Sequence, residues 1–144
     1  MYYEAVAKFH KFAQEPFFHE LTEEERIAFI ERRSKMLAEE VDELSAEMRK
    51  FADGQADAVG IAMEAADVLY IIFGTVQLMG IPIEAVFHHI HERNLQKVDG
   101  SFGEIVRRPD GKILKPKGWT PITRDEMRNI LWDLYRWKSP RISE

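Results

Sequence analysis

Five acidic residues in the first half of the chain have the spacing of a cation site. Glu40 and Glu43 are three residues apart, as are Glu64 and Asp67, and Glu39 lies beside the first pair. Residues three apart on a helix point to the same side, so each pair brings two carboxylates together. Magnesium prefers oxygen ligands and is commonly shared between carboxylates and substrate phosphates. The spacing therefore predicts an all-carboxylate site for Mg²⁺ or a similar hard divalent cation.

The second acid pair is the more informative one, because its surroundings are apolar. Residues 56–79 contain no lysine or arginine, and Glu64 and Asp67 lie among alanine, isoleucine, valine and leucine. An unpaired carboxylate in such a setting is costly and needs a positive partner. A cation held between two helices would satisfy both pairs. For the first pair a simpler alternative stays open, since glutamate-rich helices such as residues 35–50 are usually solvated surfaces.

The elements that would position these acids are helices. Hydrophobic residues recur at steps of three and four in several segments, which is typical of a helix with one buried side. Thr22 followed by Glu25 has the form of a capping box, and Thr123 can cap a later helix. The predicted helices are residues 2–14, 22–51, 56–79 and 82–98, and a last helix from Thr123 that includes Trp137. Residues 56–79 are apolar on nearly every side, so we expect them to form the central, most buried helix.

A segment rich in glycine, proline and lysine separates the last two helices. Pro109-Asp110-Gly111 is a turn signal between two short apolar stretches, so a small hairpin is plausible there. The fold class predicted from these elements is all-α. We expect a bundle of about five helices with an irregular basic loop or small hairpin near residues 100–120. A chain of this length suits a single domain, residues 1–144.

Composition narrows the classes of function. The chain has no cysteine, which excludes disulfides, thiolate metal sites and cysteine nucleophiles. Its formal net charge of −5 argues against a protein that coats nucleic-acid polymers. The N-terminus does not resemble a signal peptide, and two acids interrupt the most apolar stretch, so we expect no membrane span and a cytoplasmic location.

Other metal and nucleotide motifs are incomplete or missing. His88 and His91 share a helix side, but no second histidine cluster or cysteine completes a transition-metal site. The sequence contains no Glu-x-x-His motif, which argues against a ferritin-type di-iron protein. It also lacks the glycine-rich phosphate loop of P-loop enzymes.

The acidic motifs resemble those of the all-α nucleoside triphosphate pyrophosphohydrolase superfamily. That superfamily includes MazG-type, phosphoribosyl-ATP pyrophosphohydrolase-like and dimeric dUTPase-like enzymes. The resemblance rests on Glu39-Glu40-Val41-Asp42-Glu43 followed by Glu64-Ala65-Ala66-Asp67, which has the form of the EExxE…ExxD signature. Two later segments, His91-Glu92-Arg93-Asn94-Leu95-Gln96-Lys97 and Asp110-Gly111-Lys112-Ile113-Leu114-Lys115-Pro116, are similar to the phosphoribosyl-ATP branch.

The resemblance implies a MazG-like helical homodimer or homotetramer that uses Mg²⁺, for which Mn²⁺ can substitute. It implies hydrolysis between the α and β phosphates of a nucleoside triphosphate, giving a monophosphate and pyrophosphate. The metal-ligand positions are matched by Glu40, Glu43, Glu64 and Asp67. Glu39 matches a position that binds a further ion or orients the attacking water, so Glu39 and Glu40 are the predicted catalytic residues. The predicted phosphate contacts are Asn94, Lys97, Lys112 and Lys115.

The leading functional hypothesis is therefore a nucleotide-pool enzyme. We expect it to remove dUTP, dCTP or a modified nucleotide, with no nucleic-acid polymer and no membrane as partner. Two alternatives remain open on sequence grounds. One is phosphoribosyl-ATP pyrophosphohydrolase, and the other is a non-catalytic, carboxylate-rich metal-binding helical bundle.

Overall fold

The computed structural model describes residues 2–136 of the 144-residue chain. The α-helices are α1 (Tyr2–Ala13), α2 (Glu23–Ala52), α3 (Ala58–Leu78), α4 (Ile83–Leu95) and α5 (Arg124–Tyr135). A short 3-10 helix, Phe18–Glu20, lies between α1 and α2. No β-strand occurs within residues 2–136, so the all-α prediction is confirmed. The predicted last helix includes Trp137, which lies outside the described residues.

Two of these helices begin at capping boxes, as the sequence predicts. Thr22 Oγ1 accepts a hydrogen bond from the Glu25 backbone N–H at 3.3 Å, and the Glu25 carboxylate accepts from the Thr22 N–H at 2.8 Å. Thr123 and Glu126 repeat the arrangement at the start of α5, at 3.2 and 2.7 Å. Each box satisfies backbone N–H groups that have no partner within the helix. Both helix starts are therefore fixed by local side chains.

The described residues fall into two compact units, residues 2–81 and residues 82–136. In the first unit, α3 packs along α2 and also contacts α1. The small core at one end of this unit consists of Phe18, Phe29 and Leu78, with Leu21, Ile30 and Met79 packed against it. Whether residues 1–144 form one domain stays a prediction.

A buried polar contact joins the three helices of the first unit. Arg33 on α2 donates to Thr75 Oγ1 and to the Ile71 carbonyl of α3, both at 2.8 Å. His10 of α1 lies beside this guanidinium and is equally buried. A Cβ atom at Gly74 would approach the His10 ring to 2.5 Å and the Arg33 guanidinium to 2.6 Å. Glycine at this position is what lets α3 come so close to both side chains.

Helix α3 has more buried residues than any other helix within residues 2–136, as expected, but they are confined to one half of the helix. Its buried residues lie in the C-terminal half, where Ile71 and Leu78 face α1 and α2. In the N-terminal half, Val59 and Met63 are about 60% exposed and Leu69 is 49% exposed. The apolar pattern does not indicate which side of α3 is buried, because α3 has more apolar surface than two neighbouring helices can cover. By length and composition alone α3 could also cross a membrane, a test that core helices pass as well.

The second unit contains α4, α5 and the segment that joins them. That segment has one isolated antiparallel bridge, Arg107 to Ile113, and a turn in which Asp110 accepts hydrogen bonds from Arg108. The hairpin alternative is thus reduced to a single bridge in an irregular loop. Arg93 at the end of α4 donates to the Thr120 carbonyl at 3.1 Å, which attaches the end of the loop to the helix.

Candidate metal centre

Helices α2 and α3 bring three of the predicted ligands together. Glu40 and Glu43 extend from α2 and Glu64 extends from α3, and one carboxylate oxygen of each lies within 4.8 Å of the other two. The arrangement follows from the packing of α2 along α3, since each helix contributes the side that faces its neighbour. Residues of the two acid motifs therefore meet in space, as their spacing predicts.

The geometry and chemistry of these residues fit a small hard cation. Oxygen ligands about 2.1 Å from a magnesium ion lie roughly 3 to 4.2 Å from one another in an octahedron. The three oxygens lie within 4.8 Å of one another, so small rotations of the carboxylates suffice to place them in that range. All the donors are oxygen atoms, which suits Mg²⁺ or Mn²⁺ rather than softer metals.

Mutual repulsion is visible in the acid–base properties of the group. The pKa of Glu64 is raised, chiefly by partial burial and then by the charges of Glu43, Asp67 and Glu40. The pKa of Glu40 is raised as well, by partial burial followed by Glu43, Asp67 and Glu39. Both shifts mean that the ionised cluster is incompletely compensated by the protein. A divalent cation would supply the missing positive charge.

The remaining two predicted residues lie near this group but are less central. Asp67 is exposed and contributes negative charge at both Glu40 and Glu64. Glu39 is more than half exposed, and its nearest oxygen lies 3.9 Å from Lys35 Nζ in an exposed pair. Glu64 is half-buried and Asp67 is on the surface, so the apolar residues beside them in the sequence do not enclose these two carboxylates. We refer to Glu40, Glu43, Glu64 and Asp67 as the acid cluster.

Two charged residues that were not among the predicted site residues lie at one end of the acid cluster. Glu47 forms an ion pair with Lys50, and its side chain is 19% exposed. Gly60 of α3 provides the space, since a Cβ there would lie 2.9 Å from Glu47 Cδ. The Glu64 charge also contributes to raising the pKa of Lys50, after the larger effects of Glu47. The available signal was Glu47 itself, which follows Glu43 by one helical turn.

The residues predicted to contact phosphate lie in the second unit, and three of the four gather there. Lys97 Nζ donates to Asn94 Oδ1 at 2.6 Å. The Lys97 and Lys115 ammonium groups both lie over the indole of Trp119, which was not among the predicted site residues. Lys112 is exposed on the turn of the loop, and within residues 2–136 no contact joins its side chain to the other three.

Fold and acid cluster together define a class, the all-α pyrophosphohydrolases. The family model for phosphoribosyl-ATP pyrophosphohydrolase matches residues 6–94, and the chain belongs to that family. No curated protein matches the chain.

Family membership fixes the coarse chemistry. Members are pyrophosphohydrolases, which hydrolyse acid anhydrides and generally depend on a divalent metal. The matched region includes the whole acid cluster and ends at Asn94, so Lys97, Lys112 and Lys115 lie beyond it. The expectation of a pyrophosphohydrolase is confirmed at this level.

Proposed function

We propose that the protein is a Mg²⁺-dependent nucleoside triphosphate pyrophosphohydrolase that acts in house-cleaning of the nucleotide pool. The observation that supports this most directly is the meeting of three carboxylate oxygens, from two helices, within 4.8 Å inside the matched region. The substrates proposed are dUTP, dCTP or a modified nucleotide. The reaction gives a nucleoside monophosphate and pyrophosphate.

The chain's own residues have two tasks in this reaction. The acid cluster would hold the cation beside the triphosphate, and positioning of the phosphates is the main requirement of phosphoryl transfer. Glu39 or Glu40 accepts a proton as water adds to phosphorus at the α–β linkage. The bond from that phosphorus to the bridging oxygen breaks, and pyrophosphate leaves. When bound, Mg²⁺ would polarise the phosphoryl oxygens and make the attacking water more acidic.

The basic residues of the second unit are assigned to the phosphate chain. Asn94 and Lys97 are joined by a hydrogen bond, and Lys115 shares an aromatic neighbour with Lys97. Lysine binds phosphate as a compact charge with three donors, so a pair of lysines suits a pyrophosphate group. Lys112 is assigned to the same role on the loop.

Phosphoribosyl-ATP is the second candidate substrate, favoured by the family match itself. The two candidates share the acid cluster, the cation and the bond that is broken. They differ in what is attached to the triphosphate.

A substrate panel tests the proposal. The protein is incubated with Mg²⁺ and each common ribo- and deoxyribonucleoside triphosphate, and separately with phosphoribosyl-ATP, and the products are identified. Turnover of a nucleoside triphosphate at a higher kcat/KM than phosphoribosyl-ATP supports the proposal. Efficient hydrolysis of phosphoribosyl-ATP alone would replace it with the second candidate. Hydrolysis of neither class would leave the non-catalytic metal-binding alternative.

We further propose that the chain acts in the cytoplasm as a homodimer or homotetramer. The exposed apolar side chains of α3, among them Val59, Met63 and Leu69, support an association between copies. The acids on the same helix argue against lipid as the occupant, because charged groups are costly in a membrane.

A further inference from the structure

Trp119 is fixed firmly at the junction of the loop and α4. Its side chain is only 7% exposed, and its indole Nε1 donates to the Arg93 carbonyl at 2.8 Å. The Arg93 guanidinium in turn donates to the Thr120 carbonyl at 3.1 Å. Hydrogen bonds thus run in both directions between the end of α4 and residues 119–120. The orientation of the indole ring is set by this frame.

Two lysines from different parts of the chain lie against this ring. Lys97 Nζ is 4.2 Å from the ring centroid and Lys115 Nζ is 5.8 Å from it. Both distances are within the range of a cation–π interaction, and tryptophan is the strongest partner of this kind. The two ammonium groups cannot be farther apart than the sum of those distances. We call Lys97, Lys115 and Trp119 the lysine–tryptophan cluster.

The lysine–tryptophan cluster carries excess positive charge. Within residues 2–136, neither lysine forms an ion pair with an acidic side chain, and Lys97 Nζ donates its hydrogen bond to the neutral amide oxygen of Asn94. Two like charges held at one ring repel each other, and the π-face offsets this only in part. An anion with several oxygens would accept hydrogen bonds from both ammonium groups and remove the repulsion.

We propose that Trp119 is a positioning residue for phosphate binding, which holds the Lys97 and Lys115 ammonium groups ready for a pyrophosphate group. The inference rests on the proposed function, in which these lysines contact the phosphate chain, and it adds the residue that organises them. Holding the lysines before substrate arrives lowers the cost of ordering two long side chains. Trp119 itself does not touch the reacting atoms.

Two substitutions separate positioning from a merely structural role. Trp119→Phe keeps an aromatic face for the lysines but loses the hydrogen bond to the Arg93 carbonyl. Trp119→Leu loses both. Positioning predicts that Trp119→Leu raises KM about tenfold with little change in kcat, whereas Trp119→Phe stays within about threefold of wild type. If both variants show a lower kcat together with an equally changed KM, the role of Trp119 is structural and the inference is overturned.

A spectroscopic readout makes the test independent of turnover. In protein labelled with ¹³C-lysine, the ε-methylene signals of Lys97 and Lys115 should be shifted upfield by the indole ring. They should move on titration with inorganic pyrophosphate. In Trp119→Leu the upfield shift should vanish and pyrophosphate should bind about tenfold more weakly. Trp132→Leu is the matched control, because it removes an indole of α5 that lies against Arg136 and not against the two lysines. Its lysine signals and its affinity for pyrophosphate should match those of the wild type.

The outcomes distinguish the two proposals. If the lysine signals of the wild type do not change with pyrophosphate while the enzyme still hydrolyses triphosphates, the inference is overturned and the proposed function is retained. Signals that respond to pyrophosphate in a protein that hydrolyses no substrate support the inference and remove the proposed function. The wild-type titration decides even if a Trp119 variant fails to fold.

Discussion

A carboxylate oxygen of Glu43 on α2 and one of Glu64 on α3 lie within 4.8 Å of each other, although the two residues are 21 positions apart in the chain. The neighbouring charges that raise the pKa of Glu64 are all carboxylates, and Glu64 in turn adds to the raised pKa of Lys50. This closeness of like charges across the contact between two helices identifies the acid cluster as a cation site.

Loss of Glu64 should abolish tight metal binding without unfolding the protein. Binding of Mn²⁺ can be measured by electron paramagnetic resonance, because the signal of the free ion disappears when the ion binds. The affinity of Glu64→Gln for Mn²⁺ should be lower than that of the wild type by more than about tenfold. Asp42→Asn makes the same change of charge on an exposed residue of α2, so it should bind Mn²⁺ as wild type does. Equal affinities in the two variants would mean that the metal sits elsewhere.

Replacement by alanine should cost much more stability at Gly74 than at Gly60. At Gly74 the new methyl group meets the buried His10 ring and Arg33 guanidinium, so Gly74→Ala should destabilise by about 1–3 kcal/mol despite the gain in helix propensity. At Gly60 it meets only the end of the Glu47 side chain, which can rotate away, so the change should stay within about 1 kcal/mol. Urea unfolding monitored by circular dichroism measures both. A Gly74→Ala protein as stable as Gly60→Ala would refute the close packing of α3.

His10 should make stability depend on pH. Burial, followed by the neighbouring Arg33 charge, lowers the pKa of His10 below its ordinary value of 6.5, with Glu15 opposing the shift. The unfolded chain then binds the proton more readily than the folded one, so the contribution is complete above pH 6.5 and is lost as pH falls below it. His10→Gln should lose less stability than wild type between about pH 8 and pH 5.5 in urea unfolding. Identical losses would show that His10 titrates normally.

Association should depend on the exposed side of α3. Light scattering of the wild type should give a mass of two or four times 16.8 kDa. Met63→Lys places a charge where copies would pack, so it should shift the mass towards that of one chain while helix content is retained. A wild type that is monomeric at micromolar concentration would contradict the proposed assembly.

The sequence predicted the helices well because the signals are local. Thr22 and Thr123 start α2 and α5 through side chains three residues away, and the hydrophobic period marks these segments as helical. The acid pairs were equally readable, since residues three apart share a helix side. These features need no knowledge of distant contacts.

What the sequence could not give depends on contacts between distant residues. The frame that holds Trp119 joins it to Arg93, 26 positions earlier, and no periodicity marks such a pair. The exposure of Met63 likewise depends on how many helices surround α3, which its uniformly apolar pattern leaves undetermined. The Glu47–Lys50 pair was overlooked because its place beside the acid cluster depends on the approach of Gly60.

The bond that is broken tests the central claim most directly. Phosphorus NMR of the wild type, with Mg²⁺ and the best substrate from the panel, should show pyrophosphate and monophosphate rising in equal amounts. Glu64→Gln should slow that reaction by roughly 100-fold or more, because loss of a metal ligand removes several kcal/mol of charge stabilisation, while Asp42→Asn should match the wild type. Release of orthophosphate and a diphosphate, or full activity in Glu64→Gln, would contradict the assignment of the acid cluster as a pyrophosphohydrolase centre.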